Sequence, residues 1–471
     1  RPGYRRVRRA NGAWGKARAT ATTVMLLEIK DFSAGMEAKL LRSLLETIAR
    51  RSAYLALVIE HPPLLPRLAN LVGASAWAAE YLGRHPLLLD ELLDARVLLA
   101  EPDWDAWRSE LARLLDAHPD DAEHQMDVLR HFQHAQSFRL LVQDLEGRLT
   151  VERLADHLSA LADVVLDAAL AACWRAMTGG TPEPPRFAII GYGKLGGKEL
   201  GYASDLDLVF LFDRPADDPD AYALETRYTR FGQRLNTWLT STTAAGQLYD
   251  TDLRLRPDGA KGLLVSSLAS FRKYQREHAW RWEHQALTRA RFVAGDAEVG
   301  AAFEAEREAI LRLPREPGPL RDDVVGMRRK IHTAHQNTTA QIDLKHDAGG
   351  MVDIEFTVQY LVLLHAHAHP VLTRNAGNIA LLGFAGELGS RSRLRRLDMA
   401  LEGLEADLEF AGEAHDVDQW RAQVVADVGD QLAAFVAAPG RVLGCLVVAD
   451  ADGIHADHPA GGDGARHMVA L

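Results

Sequence analysis

Gly191-Tyr-Gly-Lys-Leu-Gly-Gly-Lys-Glu-Leu-Gly-Tyr-Ala-Ser204-Asp205-Leu-Asp207-Leu-Val-Phe210 is the most informative stretch of the chain. It joins a glycine-rich loop to two acids at the head of an apolar run, Asp205–Phe212. On a strand, residues i and i+2 point to the same face, so Asp205 and Asp207 stand side by side. Two like charges about 4 Å apart repel by roughly 4 kcal/mol at an effective dielectric of about 20. Folding has no use for that repulsion. A divalent cation removes it, and Mg²⁺ is the natural ion for carboxylates that share it with phosphates. Gly191, Gly193, Gly196 and Gly197 let backbone N–H groups approach phosphates closely, and Lys194 and Lys198 add positive charge.

A third acid belongs to the same pattern. Tyr249–Arg256 alternates: Tyr249, Thr251, Leu253 and Leu255 on one face, Asp250, Asp252, Arg254 and Arg256 on the other. A strand there, beside Asp205–Phe212, brings Asp252 next to the first pair. Three carboxylates can clamp two metals about 3.5–4 Å apart for in-line phosphoryl transfer. Arg254 and Arg256, on the same face, are placed to neutralise phosphate. Asp250 reads as a surface acid.

One decoy lies in the same residues. Gly191-x-Gly193-x-x-Gly196 follows an apolar run, Phe187–Ile190, and matches the dinucleotide fingerprint, with Asp213 near the place of a ribose-binding acid. That motif must open a crossover helix, and a parallel crossover takes about a dozen residues or more. Only Gly197–Ser204 separate the last glycine from the next strand, and Gly201 interrupts them.

Other candidates are weaker. His365, His367 and His369 end a helical pattern, where alternate residues diverge. Asp353 and Glu355 lie on the expected buried helix Met351–His365 and do not share a face. The loop Asp343–Gly350, with Lys345 and two glycines, is a candidate for nucleotide or substrate contact. Trp238, Trp280 and Trp282 read as core residues.

Outward from this centre the chain is helical. Met36 to about Met177 carries apolar faces such as Leu40, Leu44, Leu45 and Ile48, and later Leu154, Leu158, Leu161 and Val165. Pro62-Pro63, Pro66, Pro86 and Pro119 mark turns within it. A Gly/Pro-rich linker, Gly179–Pro185, ends it. Between the second and third strands, Leu224, Tyr228, Phe231, Leu235 and Trp238 give a helix. The reading is an α+β core with a small mixed sheet, flanked by all-helical domains. Its limits are an unassigned basic segment 1–35, a helical domain 36–178, the core 185–300, a C-terminal helical domain 301–440 and a disordered tail 441–471.

The chain has 471 residues, 47% apolar and 25% charged, with a net charge of −11. That length suits two or three domains. The acidic balance argues against a nucleic-acid partner. Cys173 and Cys445 are too isolated for a disulfide framework or a zinc site, so a reducing cytoplasm is the expected setting. No unbroken run of about 18 apolar residues points to a membrane span.

At this point the residues resemble a known family. The stretch 191–208, Asp252–Asp258, Ala279–Arg291 and Asp343–Tyr360 are similar to the glutamine synthetase adenylyltransferase/adenylyl-removing enzymes. Arg51-Ser-Ala-Tyr-Leu and His85-Pro-Leu-Leu-Leu-Asp resemble the region before the catalytic core, and the likeness covers about 36–385. The resemblance implies a core like that of DNA polymerase β. It implies transfer of AMP from ATP, with Mg²⁺, to a tyrosine of glutamine synthetase. Glutamine synthetase and a PII signalling protein become the expected partners. Asp205, Asp207 and Asp252 become the metal ligands, with Gly193, Lys194, Gly196, Gly197, Ser204, Arg254 and Arg256 around the nucleotide. The full enzyme of the family carries two such cores. Glu199–Tyr202 and Trp282–Gln285 look like the C-terminal, adenylylating copy. The superfamily places Gly or Ser after the first glycine of the loop, and here Lys194 follows Gly193. From about residue 390 the likeness ends. The alternatives are an AMP-removing phosphorylase on the same fold, and a truncated chain that only docks its partners.

Overall fold

Two apolar runs with a tight connection between them set the centre of the fold. In the computed structural model of the chain, residues 36–48, 52–179, 183–214, 220–338, 343, 345–374 and 377–388 are described. The sequence expectations for the basic segment 1–35, the tail 441–471, Cys445 and most of 301–440 beyond residue 388 lie outside the described residues.

The described residues fall into two compact units. The first takes those within Arg1–Pro102 and His134–Leu154. Its helices are α1 (Met36–Ile48), α2 (Ser52–Glu60), α3 (Leu64–Ala74), α4 (Ala76–Arg84) and the short α5 (Ala95–Leu98). The buried face of α1 is Leu41, Leu44 and Leu45, and Leu40 lies only half-buried at its edge. Pro66 does not mark a turn. It sits in the first turn of α3, where a missing N–H costs nothing. Inside this unit Tyr81 Oη and His134 Nδ1 are 2.8 Å apart, and Gln143 donates to the carbonyls of Leu98 and Ala100.

The second unit takes Asp103–Gln133 and the described residues after Leu154. It includes α6 (Trp104–Asp116), part of α7 (Ala122–Leu145) and most of α8 (Val151–Thr178). The helical segment 36–178 is therefore divided between the units. Helix α8 is, by length and composition, apolar enough to cross a membrane, which corrects the expectation that no such stretch exists. Two-thirds of its apolar window is buried within the protein, as in a core helix. Cys173, on α8, is a buried free thiol.

Five strands follow: β1 (Phe187–Gly191), β2 (Leu206–Phe212), β3 (Thr251–Asp252), β4 (Val265–Ser267) and β5 (Arg291–Gly295). Between them lie α9 (Gly193–Gly196), α10 (Ala221–Thr240), α11 (Leu268–Glu277) and α12 (Arg281–Leu287). Helices α13 (Ala297–Leu311), α14 (Pro317–Ala334), α15 (Met351–His365) and α16 (Asn378–Leu388) complete the described chain. The strand order is β3-β2-β1-β5, with β4 also on β2. β1 runs antiparallel to β2 and β5, while β3 and β4 run parallel to β2. The antiparallel β1–β2 pair removes the dinucleotide-binding reading, which needs parallel strands around a crossover helix. Asp213, the decoy acid, pairs instead with Arg186 at 2.9 Å.

Alternation along β1 and β2 gives the sheet two apolar faces. Phe187 meets Tyr228 and Phe231 of α10, Phe212 meets Tyr228, Phe210 packs on Phe187, and Trp174 of α8 packs against the same two α10 rings. Ala188, Ile190, Val209 and Leu211 meet Phe271, Phe303, Val324, Phe356 and neighbours in one continuous core. That core runs from residue 188 to residue 363, and α13 crosses the expected limit between 300 and 301. Arg130 of α7 is fully buried and donates to the carbonyls of Trp238, Ser241 and Gly246. It satisfies the C-terminal carbonyls of α10 that no helical N–H can reach.

Candidate active site

The centre of the site is Asp207 on β2. Its Cα partner across the parallel ladder is Asp252 on β3, one step after Leu206 and Thr251. Asp205, exposed, lies just before the strand. The three carboxylates interact: burial, then the negative charges of Asp205 and Asp252, push the Asp207 carboxyl up to about 7. Arg289 and Arg254 oppose that rise.

Gly193 closes the site from below. Its φ is +54°, a conformation that favours glycine. A Cβ there would overlap the Asp207 carboxylate oxygen. The chain turns directly from Tyr192, whose N–H donates to the Asp207 carbonyl at 2.8 Å. The glycine-rich stretch is a one-turn helix, α9, rather than an open loop. The N–H groups of Gly196 and Gly197 donate to Tyr192 and Gly193 carbonyls at 2.8 and 2.9 Å. Those amides are used inside the turn. The glycines serve close packing: a Cβ on Gly196 would overlap the Arg289 carbonyl, and one on Gly197 would meet the Arg289 guanidinium. Lys194 is half-buried on the same turn. Ser204 Oγ accepts the Gly201 N–H at 3.0 Å, closing the turn before Asp205.

The expected strand Tyr249–Leu255 is cut to two residues, so Arg254 and Arg256 do not line one strand face. The Asp252 carboxylate ends it by accepting the Arg254 backbone N–H at 2.8 Å, a side-chain turn that competes with the ladder. Arg254 Nε also reaches both Asp252 oxygens, at 3.0 and 2.8 Å. Burial raises the Asp252 carboxyl, but the Arg254 bonds outweigh it and leave it below the usual carboxylate range. Arg256 donates to the carbonyls of Leu253, Ala260 and Gly262. Its guanidinium holds the 253–262 turn and is not aimed at a ligand. Asp250 accepts from the Gln247 side chain.

The donor chemistry suits Mg²⁺, since all three groups are carboxylates. Among the described residues no three His, Cys, Asp or Glu side chains are grouped so that they could hold a metal ion. Asp252 is taken up by Arg254.

A second charged cluster was not anticipated. Arg289, buried, pairs with Glu199 and Glu355. Glu199 also accepts the Asn378 N–H at 2.5 Å. This ties the α9 turn to α15 and α16. The only advance signal was Arg289 and Arg291 flanking an alanine ahead of an apolar run, with no acid nearby in sequence. Arg291 pairs with Asp163 at 2.7 Å. Asp353 and Glu355 do lie on a helix and serve different partners, Arg328 and Arg289. His365 ends α15, and His367 and His369 follow it. Within the loop Asp343–Gly350, Asp343 accepts from His346 Nδ1 at 2.9 Å and from backbone N–H groups. Trp238 is buried and Trp282 packs on the core, but Trp280 is 69% exposed, against expectation.

Residues 65–306 match the family model for glutamate-ammonia ligase adenylyltransferase. Among curated relatives, the chain is 59% identical over 376 residues to the bifunctional glutamine synthetase adenylyltransferase/adenylyl-removing enzyme of Aromatoleum aromaticum. That alignment covers 79% of this chain and 40% of the relative. The enzymes of the same name from Chromobacterium violaceum and Nitrosomonas europaea are 58% and 57% identical, each over 74% of this chain and 38% of the relative. The chain thus spans about two-fifths of the length of these relatives.

Proposed function

The chain belongs to the glutamate-ammonia ligase adenylyltransferase family, and from that premise we propose that it transfers AMP from ATP to a tyrosine hydroxyl of glutamine synthetase. The reading is carried by one observation: Asp207 and Asp252 stand in register on parallel strands, with a side-chain-free Gly193 against the Asp207 carboxylate. A carboxylate pushed up to about 7 by burial and then by its acidic neighbours is a group in want of positive charge.

In this reading ATP lies with its phosphates over the Gly193–Lys194 turn. Asp205 and Asp207 would hold Mg²⁺, and Asp252 would join them once Arg254 is displaced. Mg²⁺, when bound, supplies the positive charge that neutralises carboxylates and phosphate oxygens together. The phenol of the acceptor tyrosine has a pKa of about 10, so it needs a base. Freed from Arg254, Asp252 would either join the ion or accept the phenolic proton on a carboxylate oxygen. The phenolic oxygen bonds to the α-phosphorus, the bond from that phosphorus to the bridging oxygen breaks, and pyrophosphate leaves. The nucleotidyltransferase core, with the polymerase β-like fold, begins at about residue 185 and is completed by the helices up to α15 that share its apolar core, and the helical segments dock glutamine synthetase and a PII signalling protein in the cytoplasm.

The test is intact-mass analysis of purified glutamine synthetase incubated with this chain, ATP and Mg²⁺. A gain of one AMP per subunit, absent with Asp205→Ala, is expected. No gain with a folded chain would overturn the assignment. AMP loss that needs inorganic phosphate would move it to the removing reaction.

A further inference from the structure

Three groups that should share a cation are separated by an arginine. The Asp252 side chain is only 11% exposed, whereas that of Arg254 is 56% exposed. The carboxylate is fixed near the β3–β2 ladder, and the guanidinium reaches it from solvent. Arg254 meets Asp252 through its backbone N–H, its Nε and its Nη2, so both carboxylate oxygens are occupied. Arg256 cannot relieve it, because all three of its nitrogens donate to backbone carbonyls. Asp207 faces Asp252 in register across the ladder. Yet no cation-ready group of three exists among the described residues.

We propose that Arg254 is a positioning residue that keeps Asp252 from a divalent cation until the phosphates of a nucleoside triphosphate draw its guanidinium away. This rests on the reading of Asp205, Asp207 and Asp252 as the metal-binding acids. A triphosphate offers more oxygens and more charge to a guanidinium than one carboxylate does. Being largely solvated, the Arg254 head can leave Asp252 without disturbing the core. The side chain read from sequence as a phosphate contact is then also a stand-in cation. The arrangement makes occupancy by metal and by nucleotide mutually supportive, since each favours the state that the other needs. A protein that hydrolyses or transfers nothing without nucleotide has no use for metal on its own.

The experiment is binding of Mn²⁺ alone, followed by the electron paramagnetic resonance of the free ion, to the whole chain. It compares the unaltered protein with Arg254→Ala, Arg254→Lys and Asp207→Asn. Arg254→Ala should bind about twofold to fivefold more tightly, the range for losing a partly exposed ion pair. Arg254→Lys keeps the charge but not the two-oxygen grip, and should fall between. Unchanged or weaker binding in Arg254→Ala would overturn the proposal. So would Arg254→Lys binding no better than the unaltered chain, because the effect would then be one of net charge. Asp207→Asn should lose the site. If it binds like the unaltered chain, the metal reading itself fails, whatever Arg254 does.

Discussion

Two clusters of charge flank the α9 turn, and they are built in opposite ways. Arg289 is a buried cation between two acids, Glu199 and Glu355, all supplied by the protein. Asp207 is a half-buried acid beside two other acids, with Arg254 bonded to one of its neighbours rather than to it. The first cluster is complete and acts as scaffold. The second is short of positive charge, as the proposed phosphate-transferring site would need to be before its ligands bind. Burial and charge alone do not separate the two. What separates them is whether the chain itself supplies the balancing partner.

The largest expected effect tests the incomplete cluster. Asp207→Asn should lower AMP transfer by about a thousandfold or more, while the metal-free melting temperature stays equal or rises, because like-charge repulsion is relieved. A variant with substantial transfer, or one that melts early, would make Asp207 scaffold after all. The complete cluster should respond the other way. Arg289→Ala leaves two carboxylates without their cation and should cost about 3–5 kcal/mol in a urea titration. Adding Glu199→Gln and Glu355→Gln should recover part of that loss. If Arg289→Ala is neutral in urea, the two clusters do not differ as described.

A pH series sharpens the contrast without mutation. Asp207 is held up to about 7 in the folded chain, well above the ordinary carboxylate range of the unfolded chain. The folded state therefore keeps a proton there that the unfolded state has already lost. That contribution is complete below about pH 4 and disappears as pH rises through about 7. Between pH 5 and 8, with chelator present, stability relative to Asp207→Asn should fall by about 2–3 kcal/mol. A flat difference would mean that Asp207 is ionised throughout. The smallest effect on stability belongs to Gly193→Ala, which combines a positive φ with a Cβ against the Asp207 carboxylate. It should cost about 1–3 kcal/mol, with a far greater proportional loss of transfer.

What the sequence made legible follows from local rules. Two short apolar runs and a short connector gave β1 and β2 and ruled out the crossover fold. The helix Met351–His365 was read to its ends, and the pairing of Asp252 with Asp207 came from alternation in Tyr249–Arg256. The same alternation overreached. Asp252 caps the next backbone N–H and halts its own strand, a competition that apolar periodicity does not register. The α9 turn looked like an open glycine loop because glycine signals backbone freedom, not its use. Here that freedom lets Arg289 and Asp207 come close. Arg289 itself stayed hidden: Glu199 lies 90 positions before it and Glu355 66 after it. No window of sequence reports a pairing at that distance. Three-residue β4 was too short to carry a pattern.

The apolar core that begins at Ala188 and ends at Leu363 has a practical meaning for anyone cutting this chain. A fragment stopped at residue 300 would keep every acid of the site, yet it would end inside α13 and expose Val209, Leu211 and Phe271 where Phe303, Val324 and Phe356 should lie. Such a piece would precipitate rather than simply lose activity. The shortest expressible version of the catalytic unit therefore extends through α15, and a gene fusion or interruption would be tolerated before it or after it, not within.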